Sequence, residues 1–169
     1  MVRVQARNIV LIGSMGAGKS SVGAAVAERT GFRLMDTDVL VVEAAGRSVT
    51  DIWKAEGEVG FRAREHDAVL KACAGVGRVI ACGGGSILQL TNFGILKSAG
   101  TVIYLRAPSG ALWERVSAAG GRPLARDEGA FARLLAARAP AYESAADHIV
   151  DVDGRSPADI ATEIIELVS

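Results

Sequence analysis

Gly13-Ser14-Met15-Gly16-Ala17-Gly18-Lys19-Ser20 fits the spacing G-x-x-x-x-G-K-[ST]. Glycines so placed let backbone N–H groups curl around phosphate oxygens, and a helix that starts there turns its positive end toward them. The lysine can neutralise β- and γ-phosphates, and the serine hydroxyl can hold Mg²⁺. An apolar run, Ile9–Ile12, precedes the loop, and a helix-forming stretch, Ser21 to Thr30, follows it. That strand–loop–helix context is what the motif requires. A nucleoside triphosphate is therefore expected at Gly16, Ala17, Gly18, Lys19, Ser20 and Ser21.

A phosphate loop does not choose the acceptor. Four other clusters bear on that choice. Asp36-Thr37-Asp38 ends the second apolar run, and ligands gather at the carboxyl ends of strands in open α/β sheets. One acid can support a Mg²⁺ shell and the other can accept a proton from an attacking hydroxyl; a polar turn fits the triad equally well alone, but beside a P-loop the triad favours function. If the strand continued, both acids would share a face. Arg62 and Glu65 lie three apart on one helix face. That spacing suits an arginine held for a carboxylate, though without context an ordinary solvated ion pair is the plainer reading. Gly83-Gly84-Gly85 follows the run Val79–Cys82, where three glycines admit close approach of a small molecule. Arg138-Ala139-Pro140-Ala141-Tyr142 lies in a helical pattern. Proline inside a helix costs about 3 kcal/mol, so a kink is expected there. Arg138 faces either a cleft or solvent.

These residues need elements to hold them. Apolar β-type runs occur at Asn8–Gly13, Phe32–Asp36, Arg78–Cys82, Thr101–Leu105 and His148–Val152. Continuous runs such as Val102–Leu105 suit strands buried on both faces. Helical segments lie between: Lys19–Thr30 with Gly31 as its C-cap, a short helix opened by Ser48 and Asp51, Glu58–Ala72, one from Pro108 through Val116, and one started by Ser156-Pro157. Alternating β and α elements predict an α/β sandwich in a single domain, residues 1–169. Residues 118–128, with paired glycines, Arg122-Pro123 and Arg126, read as a mobile lid or a plain surface loop.

Composition narrows the classes. Lys plus Arg and Asp plus Glu are 19 each, so charge gives no pointer to nucleic acid or an anionic membrane. No apolar run reaches the length of a membrane span. The segment Met1–Arg7 lacks a signal-peptide core, and two cysteines suit a reducing compartment, so a cytoplasmic protein is expected. No apolar stripe argues for a dimer, which points to a monomer.

With these clusters in order, the chain resembles the shikimate kinases. The resemblance runs nearly end to end. It rests on the P-loop, Asp36-Thr37-Asp38, Gly46-Arg47-Ser48, Glu56-Gly57-Glu58, Phe61-Arg62 with Glu65, Gly83-Gly84-Gly85, Arg122-Pro123-Leu124, and Arg138-Ala139-Pro140 with Tyr142. It implies a nucleoside-monophosphate-kinase-like fold, a three-layer α/β/α sandwich with a five-stranded parallel sheet. It implies ATP-dependent phosphorylation of the shikimate 3-hydroxyl with Mg²⁺. By resemblance, Ser20 ligates the metal and Asp36 holds it through water. Lys19 contacts the transferred phosphate, and Arg122 reaches the phosphates from the lid. Asp38 binds the acceptor hydroxyl, with about 36–65 as the substrate-binding region. Arg62 and Arg138 take the carboxylate, Gly83, Gly84 and Gly85 line the site, and Arg115 and Arg155 lie near adenine. The lid departs from the family in having no threonine shortly before Arg122 and no second leucine after Pro123-Leu124. The alternatives are another small-molecule P-loop kinase, such as a gluconate kinase, or a non-catalytic binding module.

Overall fold

Five apolar runs become the strands of one parallel sheet in the computed structural model, which describes residue 5 and residues 7–120 and 125–169. The strands are β1 (Asn8–Ile12), β2 (Arg33–Asp36), β3 (Arg78–Ala81), β4 (Thr101–Arg106) and β5 (His148–Asp151), in the order β2-β3-β1-β4-β5. All four pairings are parallel. Each lies within two residues of its predicted bounds.

Alternation along β1 shows why the sheet needs a layer on each side. Ile9 and Leu11 join Val79, Ile103 and Val150 in one core, packed on α1 (Lys19–Thr30), α5 (Ser109–Ala118) and α7 (Pro157–Val168). Val10 and Ile12 join Ile80, Val102 and Tyr104 in the other. That core packs on α2 (Thr37–Ala45), α3 (Val49–Cys73) and α4 (Leu90–Ala99). The last helix in the set, α6 (Glu128–Ala145), serves both, with Phe131 in the first core and Tyr142 in the second. The expected three-layer α/β/α sandwich is thus formed.

Two helices, α2 and α4, went unpredicted. Asp36 does not continue the strand; its Oδ1 accepts from the N–H groups of Asp38 and Val39 and starts α2 at once. The expectation of Asp36 and Asp38 on one strand face is therefore corrected, because a carboxylate at a strand end is also a strong helix N-cap. The short helix from Ser48 and the segment from Glu58 lie end to end in α3, joined at Gly57 with φ 66° and ψ −166°. Ser48 caps it as expected, its Oγ accepting from Asp51 N–H. Pro140 lies inside α6, which runs on past it to Ala145.

Of the lid, residues 118–120 and 125–128 are described. Gly121, Arg122, Pro123 and Leu124 lie outside the described residues.

Candidate active site

The P-loop turns between β1 and α1, and Gly18 leaves the start of α1 without a side-chain cap. By contrast, Asp36, Ser48, Asp127 and Ser156 each cap their helices with a side chain. The first N–H groups of α1 are thus left for an anion. The Lys19 ammonium donates to the carbonyls of Gly13 and Ser14, both at 2.8 Å. Burial beside the loop lowers its pKa, while Asp38 and Asp36 oppose that fall.

Ser20 Oγ donates to Asp36 Oδ2 at 2.5 Å, so α1 and the end of β2 bring two hard oxygens together. Among the described residues no set of three or more His, Cys, Asp or Glu could hold a metal by itself. A Ser–Asp pair fits the sparser demand of Mg²⁺, which takes one or two protein oxygens and completes its shell with phosphate and water.

Asp38 stands one helical step on, facing the triple glycine. A Cβ on Gly83 would lie 2.7 Å from Asp38 Oδ1 and 3.2 Å from Glu65 Oε2. A Cβ on Gly85 would lie 2.6 Å from Arg62 Nη1, and one on Gly84 3.4 Å from the P-loop nitrogen of Met15. The three glycines therefore let two carboxylates, a guanidinium and the phosphate loop meet. Desolvation in the cleft raises the Asp38 pKa above the usual carboxylate range. Asp36 and Glu65 add to the rise, and Lys19 and Arg62 oppose it.

Arg62 Nη1 donates to Glu65 Oε1 at 2.8 Å. Glu65 is 1% exposed and Arg62 20%, so the plainer reading of a solvated pair does not hold. The Nε of Arg62 is buried with no hydrogen-bond partner among the described residues, its nearest carboxylate being Glu58 at 3.7 Å. Tyr142 Oη donates to the Gly84 carbonyl at 2.6 Å, and its ring stacks on Tyr104 at 5.1 Å. Burial raises the Tyr142 pKa, while the nearby charges of Arg138 and Arg62 oppose it. Arg138, four residues before Tyr142 on α6, is half-buried.

Arg115 Nη1 donates to the Gly16 carbonyl at 3.2 Å and pairs with Asp153 at 3.8 Å. It thereby ties the P-loop to the β5–α7 connection. On that connection Arg155 donates to the Asp151 carbonyl and pairs with Glu163 at 2.6 Å. Of these two arginines, Arg115 meets the P-loop directly, and Arg155 lies on the connection that Arg115 reaches through Asp153.

The family described as shikimate kinase matches residues 15–169. The chain belongs to the shikimate kinase family. A shikimate kinase from Symbiobacterium thermophilum is 46% identical over 164 residues, covering 94% of each chain. The structure of the Acinetobacter baumannii shikimate kinase in complex with shikimate matches with a TM-score of 0.91 and 34% identity. That match covers 96% of this chain and 92% of that one. A gluconokinase from Sinorhizobium meliloti matches at 0.58 with 20% identity, over 97% of this chain and 92% of that one, and so shares the fold alone.

Within this shikimate kinase family site, two residues with no role assigned from the sequence hold the glycines in place. Thr37 is buried, and its Oγ1 accepts from Gly83 N–H at 2.8 Å. Tyr142 holds the next glycine from the opposite side. The signal for Thr37 was its place between two acids. For Tyr142 it was the i, i+4 step from Arg138, which puts both on one helix face. Tyr142→Phe removes the hydrogen bond and keeps the ring. It is expected to raise KM for the acceptor by about threefold to tenfold with little change in KM for ATP. Steady-state kinetics with each substrate varied checks this.

Proposed function

We propose that this chain transfers the γ-phosphoryl group of ATP to the 3-hydroxyl of shikimate, giving shikimate 3-phosphate and ADP. The reaction is a step in the synthesis of chorismate and the aromatic amino acids. One observation carries the reading: Asp38, Arg62, Glu65 and Gly83–Gly85 converge beside the phosphate loop. An acceptor that fills that space must offer a hydroxyl to Asp38 and an anion to arginine.

The mechanism follows from positioning. The N–H groups of Gly16, Gly18, Lys19, Ser20 and Ser21 and the Lys19 ammonium hold the phosphates, and Lys19 follows the γ-group as it moves. Ser20 would hold Mg²⁺ directly and Asp36 through water; bound there, the ion would neutralise charge on the β- and γ-oxygens. Arg62 and Arg138 grip the acceptor carboxylate, which fixes the ring. Asp38 accepts the hydrogen bond of the hydroxyl, whose oxygen attacks the γ-phosphorus while the bond to the bridging oxygen of ADP breaks. The proton passes to Asp38 and then to solvent. The raised Asp38 pKa suits that exchange, since a base works best near the operating pH. Arg122, which lies outside the described residues, would by the resemblance add positive charge to the phosphates in transfer. Arg115 and Arg155 border the adenine. Phosphoryl transfer is governed by such placement and charge.

A coupled assay of ADP release tests this. Shikimate with Mg-ATP is expected to give turnover, and gluconate none. Turnover on gluconate alone would move the chain to the other kinase class. Shikimate binding without ADP release would make it a non-catalytic module. No helix among the described residues is long and apolar enough to cross a membrane. A monomer is proposed, and sedimentation at working concentration checks it.

A further inference from the structure

The long helix α3 is broken by design at Gly57, whose φ of 66° and ψ of −166° are closed to residues with a side chain. The half before the break carries Trp53, and the half after it carries Phe61, Arg62 and Glu65. The Trp53 and Phe61 rings stack at 5.4 Å, and the Arg62 guanidinium carbon lies 5.5 Å from the Phe61 ring centre. So the Phe61 ring carries both the Trp53 ring from the first half and the Arg62 guanidinium beside it, and the setting of one half against the other bears on Arg62 through that stack.

Three charged residues span that break. Glu56 Oε2 accepts from Arg64 Nε at 2.8 Å, and Glu56 Oε1 accepts from Arg64 Nη2 at 2.9 Å. Arg47, on the connection from α2, pairs with the same Oε1 through its Nη2. Gly60 makes room for this. A Cβ there would stand 2.3 Å from the Glu56 Cβ and 3.0 Å from its Oε2. The hydrogen bonds of Arg64 hold the Glu56 carboxyl down at about 2, so it stays ionised at any working pH. A single exposed ion pair contributes little, because salt and side-chain entropy offset it. A two-pronged arginine–carboxylate fork with a second arginine is different, since it fixes geometry as well as charge.

We propose that Arg47, Glu56 and Arg64 form a clamp across Gly57, a positioning device that sets the Trp53–Phe61 stack beside Arg62 and thereby tunes acceptor affinity. The clamp touches neither nucleotide nor reacting atoms. This rests on the reading that the acceptor carboxylate lies at Arg62.

Two variants release the clamp by different routes. Glu56→Gln removes the charge at constant shape, and Gly60→Ala places a Cβ 2.3 Å from the Glu56 Cβ, which cannot swing away, so the two halves must shift apart with the charge kept. Each is expected to raise KM for shikimate by about three- to tenfold while kcat and KM for ATP stay unchanged. Amide hydrogen exchange over residues 49–56, measured without substrate, is expected to quicken in both. Glu56→Asp, which keeps the charge on a shorter arm, should fall between. Unchanged KM for shikimate, or a matching rise in KM for ATP, overturns the proposal. If the unaltered chain shows no shikimate-dependent turnover, it is the reading of the reaction that fails. The exchange rates then decide the clamp alone: quickened exchange supports it and unchanged exchange overturns it.

Discussion

Asp38→Asn is expected to lower kcat by about 10²- to 10⁴-fold, the usual contribution of a positioned base, while ATP binding survives. The amide keeps the shape of the carboxylate and can still meet Gly83. What it loses is the capacity to take a proton and the negative charge that aligns the hydroxyl. The P-loop is untouched, since Ser20 pairs with Asp36 and Lys19 reaches the Gly13 and Ser14 carbonyls. Calorimetric titration with an ATP analogue, beside steady-state kinetics, separates the two effects. Near-normal kcat would remove Asp38 from the chemistry.

The pH dependence has a definite sign. Desolvation first, and then Asp36, raise the Asp38 pKa. The ionised form is the working one, so kcat/KM is lost as pH falls through a value above the ordinary carboxylate pKa of about 4. Glu65→Gln removes one of the charges that raise it and frees Arg62, whose charge lowers it. Both changes move the acid limb to lower pH. Stability runs the other way. A carboxylate with a raised folded pKa binds its proton more tightly when folded, so its contribution is favourable at low pH and is lost as pH rises through the folded pKa. Asp38→Asn should therefore gain melting temperature at pH 8, and the gain should shrink as pH falls. Thermal melts across that range check it.

The sheet was legible in the sequence because its strands are continuous apolar runs, buried on both faces, that no solvent-facing pattern confuses. Gly13–Ser20 was legible because the phosphate loop is a local structure whose residues are consecutive. The start of α2 was not, because Asp36-Thr37-Asp38 satisfies a turn, a strand end and a helix cap equally well. Only the packing of Leu40 and Val41 into the core decides between them. The roles of Thr37 and Glu65 depend on partners 46 residues away at Gly83 and three away at Arg62. Local spacing displayed the second and hid the first. Burial was the missing fact for Arg62 and Glu65, since the same spacing on an open face would make an ordinary ion pair. Gly57 carried its signal openly, as a glycine between two helical patterns, but its partner Gly60 gained meaning only when the Glu56 side chain was seen lying across it.

Removing Arg62 is the second large effect, and it should act on two quantities at once. Arg62→Ala is expected to raise KM for shikimate by about 100-fold, the loss of one or two charged hydrogen bonds at roughly 1.5–3 kcal/mol each. It also strips the partner from Glu65, whose side chain is 1% exposed and bonded to Arg62 at 2.8 Å. Breaking a buried pair by removing one member costs about 3–5 kcal/mol, mostly from the charge left behind. The single variant should therefore melt well below the unaltered protein at neutral pH. Arg62→Ala combined with Glu65→Gln removes the stranded charge and should recover much of that stability, yet KM for shikimate should stay high. Arg62→Lys should fall between, because an ammonium keeps the charge but not the flat two-pronged donor set. The double variant is the decisive one. Were Arg62 only a structural partner for Glu65, restoring stability would restore KM as well. A high KM in a stable protein instead assigns the arginine to the acceptor carboxylate, with Glu65 as the buried acid that holds it in place.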